Sequence, residues 1–284
     1  MTNDLVSVIM PSYNCEAYIE ASIRSVLAQT YENWELLIVD DCSTDGTVPI
    51  VQSFRDDRIK LFFNERNSGA AVSRNRALRE ARGRWIAFLD SDDLWHPEKL
   101  ERQISYMEKN GYAFSCTDYR INLNGTWLSH VNTGPMAVDR RRMYRYCYFS
   151  TITVIYDRNV AGLIQIGDLR KNNDYAMWLR VIEKCNCYRL PQCLSFYIKH
   201  DNSVSGGRKW KLIKWHYRLF RQEQEKGVLP ALYCTARNLF FGVIKKAFFK
   251  HSVTSAEQKL TEETVLTVEN IVKEQEKVKE NVAV

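Results

Sequence analysis

Apolar residues in the first 110 positions follow two periodicities. Short, nearly continuous apolar runs predict buried β-strands at 5–10, 34–39, 59–63 and 85–89. Apolar residues spaced three or four apart predict intervening helices at 16–29, 45–54 and 70–81. Continuous apolar strands separated by helices are typical of a parallel sheet covered on both faces. The sequence therefore predicts an α/β fold, with a Rossmann-like, mostly parallel central sheet flanked by helices.

The pattern loosens after residue 110. Strands are predicted at 112–118, 120–128, 150–156 and 195–199, and helices at 173–184, 210–226 and 231–249. We expect one large domain over 1–205, with a nucleotide-binding half over about 1–110 and an acceptor half over 111–205. A basic amphipathic helical segment is expected at 206–250, and a Glu/Lys-rich tail, helical or disordered, at 251–284.

Charge and cysteine usage narrow the class of protein. The net charge is +6, and residues 208–222 hold six Lys/Arg and no Asp or Glu. The chain enters its first strand directly and its apolar runs are short, so we expect neither a signal peptide nor a membrane span. Eight cysteines without a CxxC pair indicate reduced thiols rather than disulfides or a zinc site. A cytoplasmic protein is expected.

The run at 86–93 ends an apolar strand in three carboxylates, Asp90, Asp92 and Asp93. Carboxylates this close repel one another, and an oxygen-only cluster suits Mg²⁺ or Mn²⁺, which usually keep positions for substrate phosphates. The alternative is a helix N-terminus, where an Asp caps free N–H groups. Capping explains one Asp but not three, so the run predicts a metal-dependent site for a phosphorylated ligand.

Polar residues follow three of the predicted strands, at 11–14, 40–41 and 90–93. In parallel sheets ligands bind beyond the carboxyl ends of the strands. Asp41 could accept a hydrogen bond from a nucleobase imide, with Tyr13 stacked nearby; the alternative is that Asp40 and Asp41 only build a turn. No GxGxxG follows the first strand, which argues against a dinucleotide fold.

Three further segments carry candidate chemistry. Gly69 lies at a predicted helix start and Arg74 one turn into that helix, so the helix N-terminus and the guanidinium could both face an anion. The alternative is an ordinary capped helix whose Arg74 is exposed to solvent. Asp174 lies at a helix start and could be a general base or only a cap. His200 follows a strand, where a surface histidine is the ordinary interpretation.

The ordered motifs resemble the family 2 nucleotide-sugar glycosyltransferases, which have the GT-A fold. The matching segments cover about residues 5–205 and lie at 8–14, 29–31, 39–47, 67–69, 71–77, 88–93 and 174–180. More narrowly, the chain is similar to bacterial enzymes that build O-antigen, capsule or teichuronic-acid-type polysaccharides.

The resemblance implies an inverting hexosyltransferase that uses a UDP-sugar and Mn²⁺ or Mg²⁺. It implies Asp92 as the direct metal ligand, helped by Asp90 and His200, and Asp174 as the catalytic base. The nucleotide-sugar would be bound by Pro11, Tyr13, Asp41, Asn67, Gly69, Arg74, Asp90, Ser91, Asp93 and His200, with Asp93 directed to the donor sugar. A segment with Ser203 and Ser205 would close over the diphosphate. Family members commonly have Glu-Asp where this chain has Asn173-Asp174.

Other functions remain to be weighed. A phosphohydrolase would need its Asp-x-Asp after the first strand, whereas here the cluster follows the fourth. A non-catalytic nucleotide- or saccharide-binding module is supported only by the missing Glu. Aromatic residues interleave the basic segment, yet no RNA or DNA motif accompanies them. For residues 208–250, a helix on an anionic membrane surface near a lipid-linked acceptor and an ordinary packed helix both stay open.

Overall fold

The computed structural model describes residues 3–167, 169, 171–199 and 209–282, with side chains for all of these except 209–212, 246 and 269–282. His200, Ser203 and Ser205 lie outside the described residues.

The N-terminal half alternates strand and helix as predicted. Its elements are β1 (Val6–Ser12), α1 (Ile19–Leu27), β2 (Trp34–Asp40), α2 (Thr47–Ser53), β3 (Ile59–Phe63), α3 (Ala70–Glu80) and β4 (Trp85–Phe88). The strands are parallel and adjacent in the order β3-β2-β1-β4. The strand order reverses at β1, because the chain passes from β3 across to β4 on its other side, and this places a switch point beside β1.

Alternate residues of each central strand enter different cores. Ile9 of β1 packs with Phe88 and Trp178 in one apolar cluster, whereas Val8 and Met10 pack in a second cluster on the opposite face. Successive strand side chains point to opposite faces, so a strand covered on both sides needs apolar residues at every position. This double burial explains the continuous apolar runs of the sequence.

The second half extends the sheet with antiparallel strands. Its elements are β5 (Leu94–Trp95), α4 (Lys99–Asn110), β6 (Phe114–Leu123), β7 (Thr126–Asn132), β8 (Ala137–Val138), α5 (Arg140–Met143), a 3₁₀ turn (Thr151–Thr153), β9 (Ile155–Asp157), α6 (Arg158–Ala161), α7 (Asn173–Val181) and β10 (Cys187–Lys199). Strand β9 is antiparallel to both β4 and β6 and joins the two halves, while β10 runs parallel to β6. The predicted α/β fold, with a large central sheet flanked by helices, is confirmed. The expected mostly parallel pairing holds for β1 to β4, whereas most strand pairs of the second half are antiparallel.

Two segments differ from the sequence prediction. The strand expected at 150–156 begins as the 3₁₀ turn, because the Thr153 N–H and hydroxyl both bond to the Ser150 carbonyl, at 3.1 and 2.6 Å. The helix expected at 210–226 is interrupted, since α8 (Lys209–Arg218) passes into a π-helical turn (Leu219–Glu223) before α9 (Val228–Phe248).

The C-terminal region packs against the rest of the chain. Strand β11 (Lys250–Ser252) adds antiparallel to β7, and α10 (Ser255–Val282) follows it. Thr261 and Thr264 of α10 are buried, and Arg120 Nη1 donates to Gln258 Oε1 at 2.8 Å and to Thr261 Oγ1 at 3.1 Å. The tail is thus a helix whose first half is docked on the domain.

Among the helices of the described residues, we find none that combines the length and the apolar character of a membrane span.

Candidate active site

The loops after β1 and β2 are tied together at the carboxyl edge of the sheet. Asn14 donates from its backbone N–H to Ser43 Oγ at 2.9 Å, and its Oδ1 accepts from the Thr44 N–H at 2.8 Å. Pro11 is buried within β1, while the Tyr13 ring is 50% exposed at the strand end. The edge therefore offers an exposed aromatic ring on a fixed backbone.

Asp41 organises the loop between β3 and α3. Its buried carboxylate accepts from Asn64 Nδ2 at 2.7 Å, from the Ser68 N–H at 2.9 Å and from the Gly69 N–H at 2.6 Å. Asn67 Nδ2 donates to the Asp41 carbonyl at 3.1 Å. Gly69 has φ +87°, a conformation that favours glycine. Asn67 and Gly69, both predicted site residues, are therefore gathered around Asp41.

Arg74 is the cation of the site. It is buried one turn into α3, and its Nη2 donates to Asp90 Oδ1 at the end of β4. Burial lowers the pKa of Arg74, but the negative charges of Asp90, Asp174 and Asp92 outweigh that cost and raise the pKa above its usual value. Arg74 therefore stays charged in the middle of three carboxylates.

The carboxylates of the 90–93 run occupy different environments. Asp90 and Asp92 are partly exposed, Ser91 is buried, and Asp93 is fully buried. Asp93 Oδ1 accepts from the Ile198 N–H of β10 at 2.7 Å, and its Oδ2 has no hydrogen-bond partner among the described residues. Burial, then the charges of Asp92 and Asp90, raise the pKa of Asp93 well above its usual range. The family resemblance implies that Asp93 is directed to the donor sugar, whereas in the structure its carboxylate is buried and accepts from β10.

The donor set at this edge fits a hard divalent cation. Asp90 and Asp92 offer carboxylate oxygens only, and Mg²⁺ and Mn²⁺ are commonly held by one or two carboxylates with phosphate and water oxygens. Among the described residues there is no group of three or more His, Cys, Asp or Glu side chains that could hold a metal ion. The predicted ligand His200 lies outside them.

Asp174 reaches the same site from another part of the chain. It lies in the first turn of α7, where Asn172 before it has φ +60°. Asp174 Oδ1 accepts from the Tyr175 N–H at 2.8 Å, and Oδ2 accepts from Thr151 Oγ1 at 3.1 Å. Its charge acts on Arg74, which pairs with Asp90. A half-buried carboxylate therefore lies near the carboxylates of the β4 end.

Comparison with known proteins decides the family. The model of glycosyl transferase family 2 matches residues 7–165. The chain belongs to glycosyl transferase family 2. It is therefore a glycosyltransferase, and the predicted family is confirmed.

Two similar family 2 proteins match nearly their whole length. TuaG of Bacillus subtilis, whose provisional name is teichuronic acid biosynthesis glycosyltransferase, is 41% identical over 82% of this chain and 95% of its own. The Escherichia coli enzyme WfgD, named UDP-Glc:alpha-D-GlcNAc-diphosphoundecaprenol beta-1,3-glucosyltransferase, is 39% identical over 87% of this chain and 97% of its own.

Solved structures support the family 2 fold. A crystal structure of S. aureus TarS with UDP-GlcNAc has a TM-score of 0.66 and 23% identity, covering 82% of this chain and 71% of that one. The mannosyltransferase PcManGT from Pyrobaculum calidifontis, with GDP-Man and Mn²⁺, has a TM-score of 0.59 and 17% identity, covering 96% and 87%. The predicted GT-A fold is confirmed.

In this family 2 enzyme the C-terminal helices hold α7. His216 of α8 lies 3.1 Å from Asn172, Glu223 of the π-helical turn lies 2.7 Å from Arg180, and Asn238 of α9 donates to the Tyr175 hydroxyl at 2.9 Å. Burial lowers the pKa of His216 to about 4, so its imidazole is neutral at pH 7. The helices beyond the matched family region therefore hold α7, the helix that carries Asp174, in place.

Sequence reasoning missed Thr151 and His216. Thr151 lies in a segment predicted as a strand, and nothing in its local pattern indicates a contact with Asp174. His216 is one aromatic residue within a basic helix, and its partner Asn172 is 44 residues away. The one sequence signal near this contact is Asn172, a residue type common in turns, directly before Asn173-Asp174.

Proposed function

We propose that this glycosyltransferase transfers a hexose from a UDP-sugar to a hydroxyl of a glycan or lipid-linked saccharide, with inversion, in bacterial surface polysaccharide synthesis. The observation that carries the proposal is the placement of Arg74 among Asp90, Asp92 and Asp174. A buried cation, two carboxylates at the end of β4 and a third at the start of α7 lie near one another there, a set that would suit displacement of a nucleoside diphosphate.

The donor would bind along the edge of β1, β2 and β4. The uridine would lie near Pro11, the exposed Tyr13 ring and Asp41, whose loop carries Asn67 and Gly69. The diphosphate would lie near Arg74, Asp90 and Ser91. Support for a uridine donor comes from WfgD, whose name includes UDP-Glc, and from TarS, solved with UDP-GlcNAc.

The cofactor would be Mn²⁺ or Mg²⁺, held directly by Asp92 with help from Asp90 and His200. Such an ion supplies positive charge that stabilises the leaving diphosphate. PcManGT, which shares the fold, was solved with Mn²⁺. Arg74 would add a second positive charge near the oxygens of the diphosphate, because its guanidinium is held in place by the hydrogen bond to Asp90.

Asp174 would act as the catalytic base. The acceptor oxygen bonds to the anomeric carbon as the bond to the diphosphate breaks; the electron pair of that bond stays on the diphosphate, and the hydroxyl proton moves to the Asp174 carboxylate. One displacement without a covalent intermediate inverts the anomeric centre, as in inverting glycosidases. Thr151 orients the carboxylate through Oδ2.

The acceptor would be presented at the inner face of the plasma membrane, to which a cytoplasmic enzyme attaches peripherally through residues 208–250. WfgD supports this placement, because its name includes a diphosphoundecaprenol-linked sugar. The basic composition of 208–222 suits an anionic leaflet.

A donor screen tests the proposal. Purified protein is incubated with a panel of UDP-sugars and Mn²⁺ or Mg²⁺, and UDP release is measured with and without EDTA. We expect slow hydrolysis of one donor that EDTA abolishes, and loss of metal-dependent donor binding in Asp92→Ala with the fold kept by circular dichroism. Donor binding without turnover, even with saccharide acceptors present, would instead favour a non-catalytic binding module.

A further inference from the structure

Helix α9 presents an apolar face to solvent. Seven of its exposed residues are spaced so that each lies three or four positions from another, which puts them on one stripe of the helix. The α9 stripe consists of Leu229, Leu232, Tyr233, Ala236, Phe240, Val243 and Ala247, with Leu229 77%, Phe240 64% and Val243 69% exposed. It runs for about 27 Å at about 1.5 Å per residue. A continuous exposed apolar surface of this kind marks an interaction site.

The opposite face of α9 is fixed against the enzyme. Ala231, Cys234 and Asn238 are buried, and Asn238 bonds to the Tyr175 hydroxyl. At Gly242 an added Cβ would lie 2.8 Å from the Tyr146 ring, so the helix packs closely there. The α9 stripe is therefore the outer side of a firmly packed helix.

A basic groove lies beside the α9 stripe. It has a volume of about 530 Å³ and gathers cations around Tyr144: Lys226 Nζ lies 4.8 Å from the ring centroid, and Arg237 Nη2 donates to the Tyr144 carbonyl at 3.2 Å. The cations lining the groove are Arg140, Arg141, Lys226 and Arg237. One carboxylate, Asp139, lines it and accepts from the Arg142 N–H, and a second, Glu183, lies 3.7 Å from Arg140. Residues 226–250 contain five Lys/Arg and no Asp or Glu.

We propose that the α9 stripe docks onto a phospholipid bilayer and that the basic groove beside it receives anionic headgroups. Charge selects this occupant. A second copy of the chain would bring another strongly basic segment of the same sign, whereas an anionic bilayer offers an apolar interior and negative phosphates side by side. The surface is narrower than residues 208–250, since Leu219 and Phe220 between α8 and α9 are fully buried.

Docking in this orientation brings the bilayer close to the base. The face of α9 opposite the α9 stripe contacts Tyr175, the residue after Asp174, through Asn238. A helix with its side chains is about 10 Å across, so a lipid-carried hydroxyl would need to rise only a short way to reach α7. The inference rests on the proposed function, which attaches the enzyme to a membrane through residues 208–250, and this consequence also assumes its lipid-linked acceptor.

Vesicle flotation tests the docking surface. Wild-type protein is mixed with vesicles of phosphatidylcholine alone or of phosphatidylcholine with phosphatidylglycerol. We expect flotation with the anionic vesicles only. The Phe240→Ser/Val243→Ser variant, which removes apolar area without changing charge, should lose at least about tenfold in partitioning. Arg140→Gln/Arg141→Gln should weaken binding and reduce its salt dependence.

Matched controls isolate the surface. Val160→Ser/Leu266→Ser removes two exposed apolar side chains on other elements, and Lys60→Gln/Arg79→Gln removes two cations on β3 and α3; both should float like wild type. Equal flotation on both vesicles, no flotation, or unchanged flotation of the Phe240→Ser/Val243→Ser variant would overturn the proposal. So would a wild-type dimer that this variant dissociates in sedimentation. Donor hydrolysis in solution needs no vesicles, so its loss would count against the proposed function instead.

Discussion

Arg74 of α3 donates a hydrogen bond from Nη2 to Asp90 Oδ1 at the end of β4, and the pair joins the helix to the carboxylate run. Arg74 is nearly inaccessible to solvent, while the Asp90 side chain is 27% exposed. The charges of Asp92 and Asp174 act on the same guanidinium. The cation therefore allows three carboxylates to lie near one another, and the Asp90 side chain stays partly exposed beside it.

Arg74→Ala tests this role. Without the guanidinium the carboxylates repel one another, and the proposed diphosphate site loses a positive charge. We therefore expect the KM for the UDP-sugar to rise about tenfold or more, since a charged hydrogen bond contributes about 1.5–3 kcal/mol. The free energy of unfolding should fall as well. Steady-state UDP release and thermal melts measure the two effects.

Arg79→Ala is the matched control, because this exposed arginine lies on the same helix and away from the carboxylates. It should leave KM unchanged. Wild-type kinetics in Arg74→Ala would show that Arg74 is only a structural partner of Asp90.

Asp174→Asn keeps the size of the side chain and removes the proposed base. Since general base catalysis contributes about 10²–10⁴-fold, we expect kcat for transfer to fall in that range while the donor Kd stays near wild type. Calorimetry of donor binding and single-turnover transfer assays separate the two quantities. Glu183→Gln, an exposed carboxylate just beyond α7, should transfer at the wild-type rate. Full activity of Asp174→Asn would remove Asp174 as the base.

The periodic elements of the N-terminal half could be predicted from sequence because each is long enough to show its period. The four parallel strands and the helices between them appear where the apolar pattern puts them. Strands β5 and β8 have two residues each and carry no readable period. Their existence depends on the strand beside them, since both pair with β10.

The site residues likewise divide into those that the sequence could place and those that it could not. Asp41, Asp90 and Asp92 could be placed together because parallel strands end at one edge of a sheet. The inward turn of Asp93 could not, since its partner is a backbone N–H at Ile198, 105 positions along the chain. Local sequence carries no trace of such a contact.

Two substitutions at Asp93 distinguish its structural position from a role at the donor. Asp93→Asn keeps an acceptor for the Ile198 N–H and removes a buried charge, so we expect the free energy of unfolding at pH 8 to be equal to wild type or about 1 kcal/mol higher. Asp93→Ala leaves that N–H without a partner and should cost about 1–3 kcal/mol. Chemical denaturation gives both values.

The pH dependence adds a second readout. The pKa of Asp93 is raised in the folded state, so its contribution to stability is greatest at acid pH and is lost as pH rises through the folded pKa. Asp93→Asn should flatten this part of the profile. If Asp93→Asn folds normally but loses donor binding, the carboxylate faces the donor sugar after all.

His216 should make the enzyme less stable in mild acid. Its folded pKa of about 4 lies below the usual 6.5 because burial disfavours the charged form. Between those values the unfolded chain binds more protons, so the free energy of unfolding falls as pH drops from about 6.5 to about 4, by at most about 3 kcal/mol at about 1.4 kcal/mol per pKa unit. Denaturation at pH 4.5 and pH 7 measures the difference. His216→Asn should reduce it. Because His216 lies 3.1 Å from Asn172, His216→Asn should also lower kcat more than it raises KM; an unchanged acid profile together with unchanged kcat would show that α8 does not position Asp174.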